Sequence, residues 1–359
     1  MKVFRRQYSL KELLIFKKSL VKLLLNPKKI INFIMVQVSR VFKLKKCLGL
    51  PFNVLIEPIA ECNYQCIKCE KFSDVYRNDG PKGGIKAMNI LLYRKIIDEI
   101  GDTLISLRLW NQGEPLMNGA IFEMIKYAKK KDVVVAVSSN LALLTQDRAK
   151  SIVQSGLDYL IVSFDGATRQ SYKFHHGIDC FKRVLDNIRM IVDFKKKTNS
   201  FLPLIELQFI VMKENEKDIN KMAEIAKELH LDKLTFLRLD TTYINFNKFK
   251  NISSKKDLLP DNRNYRLDMG KINALKRCRI AWEETLIRYS GLVLPCATDL
   301  GQKHKLGRVS ENGKYLGFKK LWNNHNYQKF RQEAGSKADI CHNCAKRDNN
   351  IKDQIIFNK

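Results

Sequence analysis

The chain has 359 residues, 45% hydrophobic and 28% charged, which excludes a disordered or collagen-like polymer and suits one large domain with a smaller companion. Its 65 Lys and Arg exceed its 37 Asp and Glu by 28. That excess points to an anionic partner, whether a membrane surface, a nucleic acid or a phosphorylated substrate, although a lysine-rich solvated surface accounts for much of it.

Residues 1–50 hold thirteen Lys and Arg against the single Glu12, a balance of +12. Residues 9–25 show helical periodicity, with Leu10, Leu13, Leu14, Val21 and Leu24 near one face and Lys11, Lys18 and Lys22 largely opposite. Asn26-Pro27 stops that helix. A second apolar stretch, Ile30 to Phe42, is broken by Asn32, Gln37 and Arg40 and is too short and polar to span a bilayer. This basic arm, residues 1–48, either lies on an anionic membrane face or packs over the open end of the following domain, and its charge leans toward the membrane. The start lacks the continuous apolar core and small-residue cleavage site of a secretory signal.

From residue 52 strands and helices alternate. Strands are expected at 52–60, 104–110, 132–138, 158–164, 204–212 and 233–239, with helices at 89–100, 119–130, 145–155, 180–196 and 217–229. Such alternation predicts parallel β/α units around a sheet buried on both faces. Residues 241–275 lack clear periodicity and read as a bridge, and residues 347–359 as a tail.

Nine cysteines are many, and seven fall in clusters with metal-like spacing, which argues against an oxidising compartment. Cys62, Cys66 and Cys69 follow the first strand as C-x3-C-x2-C. Three thiolates are one short of a closed structural zinc site or a fully ligated iron–sulfur cubane, so an iron would be left open to another ligand. Gly113-Glu114-Pro115 ends the second strand. In this combination the chain resembles the radical S-adenosylmethionine (SAM) superfamily.

The resemblance implies a partial (β/α)6 barrel over residues 49–240, an α/β fold with ligand groups at the carboxyl ends of its strands. It implies a 4Fe–4S cluster on Cys62, Cys66 and Cys69 whose open iron chelates SAM. In the family an electron from that cluster cleaves SAM to methionine and a 5′-deoxyadenosyl radical, which takes hydrogen from substrate. Gly113, Glu114 and Pro115 correspond to the segment whose backbone meets the SAM amino group. Ser139 and Asn140 after the third strand, and Ser163 and Asp165 after the fourth, correspond to segments lining the SAM pocket; the same residue types are also ordinary loop and cap residues. His176, in His175-His176-Gly177, stands where many members place an Arg that reaches the SAM carboxylate, and Lys68 where they carry an aromatic residue. Gln208 and Val211 on the fifth strand are expected to face the same mouth, with a plain core role for Val211 as an equal alternative. Arg238 and Asp240 end the sixth strand, either gripping substrate and moving a proton or forming a surface ion pair.

The second set, Cys278, Cys296, Cys341 and Cys344, can ligate a 4Fe–4S cluster or a structural zinc. The segment from Cys278 through Gly291-Leu292-Val293-Leu294-Pro295-Cys296, with Leu306-Gly307-Arg308-Val309 and Leu321-Trp322-Asn323, is similar to SPASM domains. Four cysteines match the shortened Twitch form, residues 276–346, which implies a second, auxiliary 4Fe–4S cluster. Cys47 and Cys180 read as buried or free thiols.

Three functions compete. The first is a radical SAM oxidoreductase making a net two-electron oxidation of a small polar, sugar-like or lipid-linked substrate, served by a reductase, flavodoxin or ferredoxin. The second is a maturase of ribosomally made peptides, although residues 1–50 lack the strands and winged helix of the recognition domain that larger members carry. The third is a non-enzymatic zinc- or iron–sulfur-binding nucleic-acid protein, which the β/α pattern disfavours. The expected location is cytoplasmic, peripheral to the inner membrane face if the arm binds lipid.

Overall fold

The computed structural model describes residues 13–15, 26–67, 69, 86–239, 254–266, 278–299, 301–335, 337–342, 344 and 351–356. Asp240, most of the bridge and most of the helix expected at 9–25 lie outside the described residues.

Helix α1 (Pro27–Val41) begins at Asn26, whose side chain accepts the Lys29 N–H, with Pro27 entering the first turn. Six parallel strands follow: β1 (Asn53–Ile56), β2 (Ser106–Leu109), β3 (Val134–Ser139), β4 (Tyr159–Ser163), β5 (Leu204–Val211) and β6 (Lys233–Arg238), each paired with the next. Between them run α2 (Ile90–Ile100), α3 (Ile121–Lys129), α4 (Gln146–Gln154), α5 (Arg169–His176), α6 (Phe181–Lys197) and α7 (Ile219–Glu228). The β/α alternation read from the sequence is therefore present; α5 is an addition. Its start is a capping box in which Thr168 and Ser171 satisfy each other's backbone N–H, and Gly177, in the left-handed region at φ 73°, ends it.

Along β3 and β4 fully buried and half-buried residues alternate. Val135, Val137, Leu160, Val162, Leu207 and Phe209 join Ile96, Ile97, Met124, Ile188 and Ile191 of the helices in one core. The half-buried residues, Arg108, Ser138, Ile161 and Gln208 among them, line the concave side. This period of two is what the β/α barrel architecture requires.

The cysteine-rich C-terminal region continues the same sheet. Helix α8 (Ile280–Glu283) leads into β7 (Glu284–Ile287), which pairs in parallel with β1 from Asn53↔Glu284 to Ile56↔Ile287. An antiparallel turn at Gly291 (φ 81°) leads to β8 (Leu292–Leu294), and β9 (Gly307–Arg308) follows. A small hairpin, β10 (Ser310–Glu311) and β11 (Lys314–Tyr315), precedes helices α9 (Phe318–Trp322), α10 (His325–Glu333) and α11 (Asp339–His342). Residues expected as a tail instead supply β12 (Ile351–Ile356), antiparallel on β6. The ten strands run β12-β6-β5-β4-β3-β2-β1-β7-β8-β9. A free β6 edge would leave ladder groups unpaired, and the last segment covers it.

Segment 45–50 is bolted to this region. Asn323 clasps Cys47, accepting its N–H at 2.9 Å and donating to its carbonyl at 2.9 Å. Trp322 Nε1 donates to Gly49 O at 2.7 Å. The buried Arg331 guanidinium stacks on Trp322 at 4.5 Å and donates to Lys45 O, Ala281 O and Trp322 O. Cys47 and Cys180 are both buried free thiols.

Candidate metal centre

The first three cysteines lie on the loop leaving β1 at the carboxyl end of the sheet. Ile67 fixes this loop from within: it is buried in a small apolar cluster with Met212, Leu239 and Leu258, against Phe174 and Ile210. Two backbone bonds tie the loop to α5, from Ile67 N to His175 O at 2.9 Å and from Gln65 N to His176 O at 3.4 Å. Tyr64, also buried, shares a hydrogen bond of 2.8 Å with the Tyr172 hydroxyl.

Each sulfur meets a different element. The Asn140 amide approaches Cys62 Sγ at 3.8 Å and donates to Asn63 Oδ1 at 2.9 Å. The Cys69 thiol donates to Gln112 Oε1 at 3.5 Å. Cys66 Sγ lies 3.3 Å from His176 Nδ1. His176 Nε2 accepts the Asp165 N–H at 3.3 Å, so the neutral ring carries its proton on Nδ1 and directs it at the sulfur. Burial, reinforced by the neighbouring His175, holds the His176 imidazolium well below its usual range, in keeping with a neutral ring. Asp165 Oδ2 stands 3.2 Å from His175 Nε2.

The residues fit an iron–sulfur group. Burial first, then the charges of Cys69 and Cys62, drives the Cys66 thiol well above its normal range. That mutual influence places the three sulfurs near one another, and as thiolates they would repel unless a cation lay among them, which is what iron supplies.

The second strand end closes under the cysteines. Gly113 is required there, because a Cβ would stand 2.0 Å from Ile59 O. Glu114 is buried, and its carboxylate accepts from Ser139 Oγ at 2.7 Å, Leu116 N at 3.0 Å and Asn140 N at 2.8 Å. Burial raises its carboxyl above the usual range against the pull of those donors. Glu114 and Ser139 thus position Asn140 beneath Cys62, and Pro115 is buried beside them. Ser163 pairs across the ladder with Gln208, both half-buried on the concave side.

On the later strands the shared mouth of Gln208 and Val211 needs correction, and the core alternative for Val211 holds. Gln208 and Val211 do not share a face, since three residues along a strand of period two reverse the side. Val211 is fully buried with Phe209 in the core under the helices, whereas Gln208 is half-buried and donates to Glu206 Oε1 at 3.2 Å. Arg238 pairs with Val211 across the ladder and so shares its side, and its Nε donates to Asn264 O at 3.2 Å. Through this bond it holds segment 254–266.

Glu57 and Gln112 escaped the sequence reading. Glu57 directly follows β1, is fully buried, and accepts from Asn111 Nδ2 at 3.2 Å, Gln112 N at 3.4 Å and Arg288 Nε at 3.0 Å. Gln112 carries this connection to Cys69, so a buried ion pair links the first cysteine loop to β7. Nothing in the composition marks Glu57, whose role depends on a partner 231 positions away.

In the second set, burial raises the Cys278 thiol, and the charges of Cys341 and Cys344 raise it further, which places those three near one another. Cys341 Sγ accepts the Gly335 N–H at 3.3 Å. Cys296 follows β8, is buried, and lies 2.8 Å from the Thr298 hydroxyl.

Comparison with known proteins agrees with this arrangement. Residues 56–226 match the radical SAM superfamily model, and residues 278–345 match SPASM, an iron–sulfur cluster-binding domain. The chain is 24% identical over 178 residues to a probable GTP 3′,8-cyclase of Saccharolobus islandicus, covering 50% of this chain and 54% of the relative. It is 28% identical over 182 residues to an AdoMet-dependent heme synthase of Methanosarcina barkeri, covering 50% and 48%. The chain thus spans about half the length of the curated relatives it matches. Among solved structures, Streptococcus suis SuiB bound to S-adenosylmethionine shares the fold with a TM-score of 0.59 at 13% identity, covering 86% of this chain and 75% of SuiB. Native anSMEcpe with bound AdoMet gives 0.58 at 17%, covering 84% and 93%. With both domain models placed on the two cysteine sets, the chain belongs to the radical SAM superfamily and carries a SPASM-type iron–sulfur region at its C-terminal end.

Proposed function

We propose that this radical SAM enzyme removes two electrons and two hydrogens from a small polar substrate. Cys62, Cys66 and Cys69 would hold one 4Fe–4S cluster, and Cys278, Cys296, Cys341 and Cys344 an auxiliary one. When bound, the first cluster and SAM supply a 5′-deoxyadenosyl radical as hydrogen abstractor, and the auxiliary cluster supplies an electron acceptor. The substrate loses one hydrogen atom, then one electron and one proton, which leaves it oxidised by two electrons. Asn140, Gln112 and His176 would orient the three sulfurs, while Glu114 and Ser139 hold the floor of the SAM pocket with Gly113 and Pro115 above them. Ser163 and Gln208, half-buried on the concave side, are placed to meet SAM or substrate.

The observation that carries the reading is the pairing of β7 with β1. It builds β7, the strand between Cys278 and Cys296, into the same sheet as β1, which leads into the three-cysteine loop, and so supports a fixed arrangement of the two regions for passing a second electron. The test is anaerobic reconstitution. The intact protein should bind about eight irons and the Cys296→Ala variant about four. That variant should still form 5′-deoxyadenosine while losing oxidised product. Zinc at the second set, or full product from Cys296→Ala, would overturn the oxidation reading, and turnover only on a precursor peptide would assign the substrate to peptides.

A further inference from the structure

Helix α1 is amphipathic in the reverse of the usual sense. Its inward face is polar: Lys29, Asn32 and Ser39 are buried beside Val36. Lys29 Nζ donates to the Lys131 and Asp132 carbonyls, each at 2.9 Å. Asn32 clasps Leu50, accepting its N–H at 2.7 Å and donating to its carbonyl at 2.9 Å. Ser39 Oγ accepts the Leu48 N–H at 2.8 Å and donates to Met35 O at 2.7 Å. These bonds fix the rotation of the helix, so its apolar residues cannot turn inward without stripping buried polar groups of their partners.

The apolar residues consequently face out. Ile31, Ile34 and Val41 are each 54% exposed and Phe42 is 70% exposed, with Met35, Val38 and Leu48 also exposed. A contiguous apolar strip of this kind marks a binding surface. Its border is basic. Lys43, Lys45 and Lys46 are exposed at the end of the helix, and residues 13–56 contain nine Lys and Arg and no Asp or Glu. A second copy seated on the same face would set lysine against lysine, which disfavours self-association. Among the described residues no helix is long and apolar enough to cross a membrane, so the strip suits contact with a surface.

We propose that the outer face of α1 docks on an anionic lipid surface, with Ile31, Ile34, Val38, Val41 and Phe42 entering the acyl boundary and Lys43, Lys45 and Lys46 meeting the headgroups. This surface is independent of the reaction proposed above. It also lies at the opposite end of the sheet from Cys62, Cys66 and Cys69, because α1 touches segments that enter strands (Gly101–Thr103 before β2, Lys131 and Asp132 before β3, Glu283 before β7). The mouth therefore faces away from the bilayer.

Cosedimentation of the full chain with phosphatidylglycerol-rich and pure phosphatidylcholine vesicles tests the proposal. Binding should be confined to the anionic vesicles at about 0.1 M salt and largely lost at about 1 M, as the Debye length falls from about 10 Å to about 3 Å. Ile34→Asp with Val38→Asp should weaken it at least about tenfold, since these side chains lie off the polar clasp and leave the fold intact by circular dichroism. Lys43→Glu, Lys45→Glu and Lys46→Glu should each weaken it about five-fold. Leu91→Asp, at an exposed apolar position on α2, should leave binding unchanged. Absence of vesicle binding overturns the proposal. So does unchanged binding by the Ile34→Asp, Val38→Asp variant, which would place the contact in residues 1–25. A dimer that this variant converts to monomer, without lipid binding, would assign the face to a second copy and equally overturn it.

Discussion

Replacing Arg288 by Met leaves Glu57 as a buried carboxylate without its cation. Both side chains are 0% exposed, with Nε and Oε2 3.0 Å apart. At an effective dielectric of about 20, unit charges about 4 Å apart attract by about 4 kcal/mol. Desolvating the two ions costs several kcal/mol each, so the intact pair adds little net stability while removal of one member costs about 3–5 kcal/mol. The two single substitutions should then separate by pH. Burial already lifts the Glu57 carboxyl, and Arg288 is the main opposing influence. Without Arg288 the folded-state value climbs further, so the folded protein takes up a proton before the unfolded chain does. Stability of Arg288→Met should therefore rise as pH falls through that raised value, and stop gaining near the ordinary glutamate value of about 4.3. Glu57→Gln removes the carboxylate from a guanidinium that cannot lose its proton, so its penalty should not vary with pH over the same range. Urea unfolding at a series of pH values measures both. Losses below about 1 kcal/mol for both variants, or identical pH profiles, would refute the buried-pair account.

Two further outcomes concern the first cysteine site. Cys62→Ala, Cys66→Ala and Cys69→Ala should each abolish 5′-deoxyadenosine formation from SAM, measured by chromatography after anaerobic reconstitution; normal turnover by Cys69→Ala would remove that loop from the chemistry. Gly113→Ala must displace backbone, because its Cβ would stand 2.0 Å from Ile59 O. It should destabilise the protein by about 3 kcal/mol or more and lower iron retention, and a variant as stable as the parent would show that the β2 loop does not press on the β1 loop.

The fold was legible where periodicity and spacing carry it. Each expected strand and interstrand helix of the barrel is present, since buried parallel strands alternating with amphipathic helices leave a strong pattern. The cysteine spacings were equally plain. What the sequence hid was pairing at long range. Glu57 and Arg288 look like two ordinary charges until the sheet brings them together. Side assignment near a strand end was ambiguous for Val211, left between the mouth and the core, because a step of one residue reverses a strand's face. The apolar stretch of α1 was visible, but which face turns inward was decided by Lys29 and Asn32 finding carbonyl and amide partners on other segments.

The parallel pairing of β7 with β1 makes one ladder of what a domain map divides in two. Most two-part enzymes can hinge at the linker joining their halves. Here the four residues Asn53–Ile56 bond to β2 on one side and β7 on the other, so any opening between the cysteine sets would tear the middle of a continuous sheet. The separation of the two cysteine regions is therefore built in at folding and does not depend on closure around substrate. Amide protection should follow: β1, β2 and β7 should exchange together, in the slowest class, with no earlier release of the C-terminal cysteine region.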